Sequence, residues 1–464
     1  MRFDMMRPVR IAIVGAGPAG FYAAQALTKS SQSVSLDIFE RLPSPHGLVR
    51  YGVAPDHDTV KSKAFTFDQI LKHEAVRYFG NVTFGEDLTH EEVKAHYDAV
   101  IYTIGASSDK SLGIPGEEVR GSLSATEFVA WYNAHPDHAT LNPPLDTKHV
   151  AVIGMGNVAL DVTRALCKDP DALDKTDMAD YAVAALRKSK VTDIHILGRR
   201  GPSQANFTPK ELREVAELPG VDMVVDPADL KANQVGTFED ELAAKKAARN
   251  VELFSEFSKR TPAKKNKCVH IHFFVSPVKV EGEERVEGLR LERNRLEPKG
   301  ERLSAVGTDE FERLEIGLLL RSVGYRSKPL PGVPFDDKLG VISNIGGRVI
   351  DENGEVVAGE YTSGWVRRGP SGVIGTNKLD AEETVGHLLE DLHRLPLAQQ
   401  PEPEAVNRLL DRKGVRYVTL RDWQRIARTE RRNGGRQHRR ALKFASVEAM
   451  LDAANLDERT ARVA

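Results

Sequence analysis

An α/β fold of two Rossmann-like, three-layer domains, one inserted into the other, is predicted by three features of the chain. Two short apolar runs each end in a glycine-rich turn, Gly15-Ala16-Gly17-Pro18-Ala19-Gly20 and Gly154-Met155-Gly156-Asn157-Val158-Ala159. Each turn opens a helix-like segment and is followed by a second apolar run, the first ending at Glu40 and the second at Gly198-Arg199-Arg200. Two more apolar runs close on a glycine, Tyr97 to Ala106 and Leu314 to Tyr325, and mark where the chain is expected to cross between domains.

The bulk composition narrows the class. With 464 residues, 41% of them hydrophobic, the chain can bury more than one core. A formal net charge of -2 excludes the global basic field that dominates nucleic-acid binding. Cys167 and Cys268 stand far apart and form neither a CxxC pair nor a ligand cluster along the sequence, so neither a structural disulfide nor a metal centre is expected. The stretch from Met1 to Arg10 is short and polar for a signal peptide. Glycines, Pro18 and Gln25 interrupt the apolar run from Ile11 to Leu27, which suits strand, turn and helix better than a membrane span. A soluble, cytoplasmic protein is the expectation.

At the first turn, Ile11 to Val14 reads as a buried parallel strand and Phe21 to Leu27 as the following helix. In a dinucleotide site Gly15 makes the tight turn, Gly17 lets the backbone approach a pyrophosphate, and Gly20 lets helix and strand pack closely. Pro18 and Ala19 open the helix whose N-terminus receives the anion. A second strand, Ser33 to Phe39, delivers Glu40 25 residues after Gly15, where an acid meets ribose hydroxyls. An acid suits a free ribose, so the first site is expected to take FAD. The segment from Leu42 to His57 is too rich in proline and glycine for a regular element and is expected to be a loop that carries ligand contacts.

The second turn follows a strand from Lys148 to Ile153 and opens a helix from Asn157 to Cys167, with Ala159 replacing the third glycine. Gly154, Met155, Gly156, Asn157 and Val158 are its expected cofactor contacts. A polar excursion over 168–190 precedes the strand Asp193 to Leu197, which places Arg199 45 residues beyond Gly154. No acid stands at the end of that strand. Arg199 and Arg200 offer planar forks to a 2'-phosphate, and so NADPH is expected there. Downstream, a helix from Pro209 puts Glu211 and Glu214 on one face, which on its own reads as a solvated surface. The run from Ser363 to Lys378 links a strand at Glu360 to Ser363 with a helix beginning near Asn377. Free N–H groups at that helix start suit the pyrimidine edge of a flavin, and Trp365 suits an aromatic cofactor or the core.

Taken together, GAGPAGFYAAQAL, PHGLVRYGVAPDH, GMGNVALDVTRAL, GRRGP and GWVRRGPSGVIGTNKLDAEETV resemble, in order and over nearly the whole chain, the adrenodoxin-reductase-like ferredoxin-NADP reductases, a branch of the glutathione-reductase-type flavoproteins. The resemblance implies FAD contacts at Ala19, Glu40, Leu48, Phe84, Trp365, Gly372, Val373 and Ile374. It implies NADP contacts at Met155 to Val158, Arg199, Arg200, Glu211 and Gly372. His57 and Asp161 match a family pair beside the flavin that serves in proton and hydrogen-bond relay, and Glu214 matches a nearby acid with a similar role. Two positions depart from the pattern: His46 stands where an aromatic residue is expected, and Met155 where Asn or Gly is common.

The resemblance also implies hydride transfer from NADPH to flavin N5 and one-electron release to a ferredoxin- or adrenodoxin-like iron-sulfur protein, from a chain expected to be monomeric. The implied division is an FAD-binding part over 1–107, an inserted NADP-binding domain over 108–325, and a second FAD-binding part with a helical tail over 326–464. Acidic ferredoxins call for a basic docking surface, for which Arg199, Arg200 and Arg213, or the tail from Arg425 to Lys443, are the candidates. Alternatives sharing the same cofactor motifs are an NADPH diaphorase or quinone reductase and a redox sensor without turnover. A flavin disulfide reductase would need a cysteine pair that this chain lacks.

Overall fold

The computed structural model describes residues 7–300 and 302–455. The chain forms two compact units: residues 1–108, 133–136 and 324–464 make the first, and residues 109–132 and 137–323 the second.

In the first unit a seven-stranded sheet runs in the order Asn344–Ile345, Arg348–Ile350, Val356–Thr362, Ala99–Tyr102, Val9–Val14, Val34–Glu40, Val76–Gly80. From Val356–Thr362 onward all neighbours are parallel. Every residue of Val9–Val14 is buried, as its unbroken apolar run requires for a strand covered on both faces. One face packs under the helices Pro18–Lys29 and Thr376–Glu390 through Ile11, Phe21, Leu27, Ala381 and Leu388. The other packs Val14, Phe39, Phe79 and Tyr102 against Val406 and Leu410 of the helix Pro403–Arg412. Because the strand carrying the first glycine turn lies between Val34–Glu40 and Ala99–Tyr102, the turn sits where the strand order reverses. Such a crevice is where open α/β sheets bind ligands.

The second unit repeats the plan. Six parallel strands run in the order Ser122–Ser124, Leu318–Arg321, His149–Ile153, Asp193–Leu197, Lys267–His272, Val221–Val225. The strand of the second glycine turn again occupies the reversal point. A three-stranded antiparallel sheet of Val275–Glu281, Gly288–Lys299 and Arg302–Glu315 supplies Val275, Val280, Leu289 and Leu291, which pack against Ala151, Ile153, Leu197 and Leu319. The same parallel strands also carry His149, His195, His270 and His272 on one face. Their rings stack, with His195 and His270 centroids 4.6 Å apart. Burial, then the neighbouring imidazoles, pushes His195 down to about 3 and His272 to about 4, so these two rings are neutral near pH 7.

Three expectations change at this level. The run from Leu314 to Tyr325 is not one strand: Leu314 belongs to Arg302–Glu315, and only Leu318–Arg321 joins the parallel sheet. Gly317 between them breaks the run. The stretch from Leu42 to His57 holds a short helix, Leu48–Tyr51, and His57 caps a second one, Asp58–Lys61. The excursion over 168–190 is two helices, Pro170–Asp174 and Asp180–Arg187, anchored by Leu173, Val183 and Leu186. Among the described residues no helix is long and apolar enough to cross a membrane.

A buried carboxylate ties the first sheet together. Glu360 has only 2% of its side chain exposed, and it accepts hydrogen bonds from His90 at 2.9 Å, Lys94 at 3.1 Å and the Tyr102 hydroxyl at 3.0 Å. Burial alone would raise its pKa, yet His90 and Lys94 hold it below the usual carboxylate range. A depressed native pKa contributes stability above the unfolded-state value of about 4.3 and loses it as pH falls through the native one. Glu360→Gln is therefore expected to lower the melting temperature at pH 7, by the equivalent of about 1–3 kcal/mol. The deficit should shrink below about pH 4. Melting curves from pH 7 to 3.5 check this, and a deficit constant across that range would refute it.

Candidate functional site

The first glycine turn is tight because nothing larger fits. Gly15 has φ +110°, its N–H donates to the Phe39 carbonyl at 2.8 Å, and an added Cβ would lie 2.7 Å from the Thr103 carbonyl oxygen. A Cβ on Gly20 would lie 2.2 Å from the Gly15 carbonyl oxygen, so this glycine sets how closely the helix meets the turn. Gly17 differs: φ is -88°, and an added Cβ meets nothing within 4 Å. It faces open space at the head of a helix that has Pro18 in its first turn, no side-chain cap and no acid in that turn. The leading N–H groups are thus left to an outside acceptor.

Three other segments close around this turn. Glu40 accepts the Ala16 N–H at 3.0 Å and the Leu42 N–H at 3.1 Å, which fixes the carboxylate beside the turn. Burial pushes its pKa up, against the pull of those two bonds. The His46 N–H donates to the Ala16 carbonyl at 2.8 Å, and Gly47, at φ +47°, comes so near that its Cβ would lie 3.0 Å from the Gly17 Cα. Leu48 follows at the start of its short helix. From the far end of the chain, Gly364 at φ +82° packs on Ala19, where a Cβ would come within 2.6 Å of the Ala19 methyl. Gly364 heads the helical turn Trp365–Arg368. The Asp380 carboxylate accepts from the Gly364 N–H, from the Ser363 hydroxyl at 3.1 Å and from Arg367 at 2.9 Å.

Trp365 is half-buried against Tyr325, with ring centroids 5.1 Å apart, and its indole N–H donates to the Ser371 carbonyl at 3.1 Å. Gly372 has φ +79°, the Val373 N–H donates to the Thr376 hydroxyl at 3.1 Å, and Val373 is exposed while Ile374 is half-buried. The helix Thr376–Glu390 begins without a side-chain cap or an acid in its first turn. The buried Phe84 ring packs edge-on to Tyr102 at 5.6 Å, in the core cluster that also holds Val14 and Val366. His57 is half-buried in the same unit.

His46 fills its position as an aromatic residue would. It is 4% exposed, lies 5.7 Å from the Phe21 ring and 5.6 Å edge-on from Trp423, and is hydrogen-bonded to Asp68 at 3.0 Å. Nearby, Arg50 forms a buried bidentate pair with Glu430, at 2.9 and 2.6 Å, and lies over the rings of Tyr51 and Trp423.

The second turn repeats the constraint in the second unit. Gly154 has φ +127°, and an added Cβ would lie 2.2 Å from the Ser322 carbonyl oxygen. Gly156, at φ -115°, has nothing within 4 Å of an added Cβ. Met155 packs on Gly198, where a Cβ would come within 2.6 Å of its Cγ, so the methionine is accommodated by the glycine that precedes the arginines. Val158 is half-buried in the helix Asn157–Cys167. The Asn157 side chain accepts the Thr208 N–H at 2.8 Å, and the Met155 carbonyl accepts the Asn206 N–H at 2.7 Å. These bonds dock the start of Pro209–Ala216 on the turn.

Glu211 in that helix has an oxygen, Oε2, that is buried with no hydrogen-bond partner, and burial pushes its pKa up. Asp161 accepts from Arg164 at 2.8 Å, and Glu214 lies 3.9 Å from the same guanidinium. Arg199 is exposed and Arg200 half-buried, and neither has an acidic partner among the described residues. Burial, then the charges of Arg199 and Arg302, lowers the Arg200 pKa. This is a cationic corner without a counter-ion among the described residues.

Known proteins match this chain over nearly its whole length. A model of the pyridine nucleotide-disulphide oxidoreductase family matches residues 9–234. NADPH-ferredoxin reductase FprA of Mycobacterium tuberculosis is 44% identical over 459 residues, covering 96% of this chain and 99% of that one. The chain belongs to the adrenodoxin-reductase-like ferredoxin-NADP reductases, a branch of the pyridine nucleotide-disulphide oxidoreductases. The bovine mitochondrial NADPH:adrenodoxin oxidoreductase is 42% identical, with 95% of this chain and 91% of its own length covered. The solved structure of the Mycobacterium tuberculosis FprA in complex with NADPH superposes with a TM-score of 0.90 at 42% identity, over 97% of this chain and all of that one.

Sequence reasoning missed Asp380, which clamps the Ser363 to Arg367 segment, and the Gly47 contact with Gly17. Asp380 lies inside the quoted GTNKLDAEETV motif, but only the fold brings it to Gly364. The glycines also separate two effects. Gly15→Ala is expected to destabilise the chain by at least the ~1–3 kcal/mol of a strained backbone. Gly17→Ala should leave the stability of the flavin-free chain within about 0.5 kcal/mol. Urea unfolding of the two variants checks this, and equal losses would show that the turn is not built as described.

Proposed function

We propose that the chain is an FAD-dependent NADPH-ferredoxin reductase whose flavin sits on the first glycine turn and whose NADPH sits on the second. The observation that carries this reading is the contrast between the two turns. Glu40 is held beside the first by two backbone N–H groups, whereas Arg199 and Arg200 stand beyond the second with no acidic partner among the described residues. An acid accepts from ribose hydroxyls and repels a 2'-phosphate, and paired guanidinium groups do the reverse. The family relatives named NADPH-ferredoxin reductase and NADPH:adrenodoxin oxidoreductase support the same assignment.

The residues fit both dinucleotides. Gly17 and Gly156 leave room above helix starts whose N–H groups lack caps, as a pyrophosphate needs. The Thr376, Asn377 and Lys378 N–H groups already donate to the Val373, Ile374 and Gly375 carbonyls, so the electron-rich edge of the flavin is assigned to the Gly372 to Ile374 segment ahead of the helix rather than to the helix start. When bound, FAD takes two electrons from NADPH as a hydride and passes them on singly. The first unit positions the ring through Leu48, Trp365 and Gly372 to Ile374; His57 in that unit, and Asp161 and Glu214 in the second, are assigned the hydrogen-bond and proton relay that the family resemblance implies. Glu211, with one oxygen buried and unpartnered, is assigned to the NADP side.

The acceptor is a small acidic iron-sulfur protein, met on a basic surface. Arg428, Arg431, Arg432 and Arg436 of the tail are exposed and suit that role, whereas Arg439 and Lys443 are buried, 6% and 7% exposed. Lys443 donates to the Arg50 carbonyl and to Asn133, so the tail's basic run is partly structural, contrary to its reading as one docking face.

Two measurements test the assignment. Gly17→Ala is expected to purify with little FAD while keeping its fold; full flavin content would refute flavin binding at the first turn. Arg199→Ala/Arg200→Ala removes about 3 kcal/mol of charge-assisted bonding, so the ratio of kcat/KM for NADPH over NADH should fall roughly a hundredfold. An unchanged ratio, measured with ferricyanide as acceptor, would refute the 2'-phosphate site.

A further inference from the structure

The histidine-lined face of the second unit's sheet brings together three side chains of different donor chemistry. Asp193 opens the strand Asp193–Leu197, and Cys268 and His270 lie on the adjacent parallel strand Lys267–His272. The register pairs Cys268 with Asp193 and His270 with His195, and alternation along the strands turns Cys268, His270 and His272 to the same face as Asp193 and His195. One carboxylate oxygen of Asp193, the Cys268 sulfur and a ring nitrogen of His270 all lie within 4.8 Å of one another. The Asp193 Oδ1 to His270 Nε2 distance is 3.0 Å.

We infer that Asp193, Cys268 and His270 form a binding site for a divalent transition-metal ion of the zinc type, with a water completing a four-coordinate shell. Zinc bonds of about 2.0–2.3 Å in a tetrahedron place ligand atoms about 3.3–3.8 Å apart, so small side-chain rotations close the site. Mixed oxygen, sulfur and nitrogen donors suit zinc rather than calcium or magnesium, which take oxygen alone. Further support is already in place: Thr192 donates to the second Asp193 oxygen at 2.8 Å and so orients the first. The Asp193 and His270 side chains are 28% and 27% exposed, which leaves an entry path and room for the water. Binding converts the Cys268 thiol to a metal-bound thiolate, with the proton released to solvent.

The location separates this site from the dinucleotide chemistry. Asp193 begins the strand whose far end leads to Arg199, six residues and about 20 Å away at strand rise. The ion would therefore clip two neighbouring strands together at the end of the sheet opposite the second glycine turn. Along the sequence Cys268 stands far from Cys167 and forms no CxxC pair with it, so the site does not show there as a cysteine motif. Its own strand reads Cys-Val-His-Ile-His, which places three donors on one face, and only the register adds Asp193.

The test uses the FAD-loaded enzyme after chelator treatment. Zinc titration with metal analysis after gel filtration is expected to give one ion per chain. Cys268→Ser should abolish it, and Asp193→Asn and His270→Ala should each weaken it at least tenfold. The exposed His393→Ala should leave it unchanged. Cobalt in place of zinc should add a thiolate-to-cobalt absorption in the difference spectrum of the wild type, absent in Cys268→Ser. Zinc should raise the melting temperature of the wild type but not of Cys268→Ser, and should leave the KM for NADPH unchanged. Should Cys268→Ser fail to fold, the cobalt spectrum of the wild type decides. No thiolate absorption, undiminished zinc binding in Cys268→Ser, or competition between zinc and NADPH would each overturn the site.

Discussion

The arrangement depends on one steric constraint, met twice. At Gly15 and at Gly154 the backbone has a positive φ, and the carbonyl of a neighbouring segment, Thr103 in one case and Ser322 in the other, occupies the space where a Cβ would be. Any other residue would move that segment or the turn. Because the glycine allows this approach, the helix begins immediately after the strand and its first N–H groups point out of the crevice at the strand-order reversal. The close packing of Gly20 against Gly15 and of Gly364 against Ala19 rests on that placement. In this sense Trp365 and Gly372 owe their position to a turn some 350 residues earlier in the chain.

The two turns then diverge through what stands beyond them. In the first unit Glu40 is half-buried, and two backbone N–H groups already bind it, so its acceptor geometry is fixed before any ligand arrives. In the second unit Arg199 and Arg200 have no acidic partner among the described residues, and an anion would relieve their mutual repulsion. A site that must discriminate for a phosphate benefits from remaining unpaired, because an internal carboxylate would compete with the ligand for the same donors. Met155 is a departure without a steric cost, since Gly198 makes room for it.

Much of this was legible in the sequence. The glycine spacing, the apolar strands and the terminal Glu40 and Arg199-Arg200 are local patterns, and the helix Asn157–Cys167 lies where the pattern placed it. What was not legible depends on contacts between distant segments. Alternation and apolarity cannot reveal that Gly317 splits the run after Leu314, nor that Asp380 reaches back to Gly364. Nor can they show that His46 joins Phe21 and Trp423, because a histidine is equally at home on a surface. Proline and glycine in the segment after Glu40 correctly signalled irregular backbone, but the single turns Leu48–Tyr51 and Asp58–Lys61 are too short to leave a periodic trace.

The tail illustrates how charge composition misleads when burial is unknown. Its arginines and Lys443 form one basic run in sequence, but the fold divides them by function. Glu430 faces inward and pairs with Arg50, 380 residues away, and Lys443 donates to the carbonyl of the same Arg50. Removing one partner of such a buried pair leaves the other charge desolvated, at a cost of several kcal/mol. The pair therefore fastens the helix Leu420–Gly435 to the short helix Leu48–Tyr51, whose preceding Gly47 touches Gly17. The tail thus contributes to the first turn's geometry through its inward residues, and Arg428, Arg431, Arg432 and Arg436 are left facing outward.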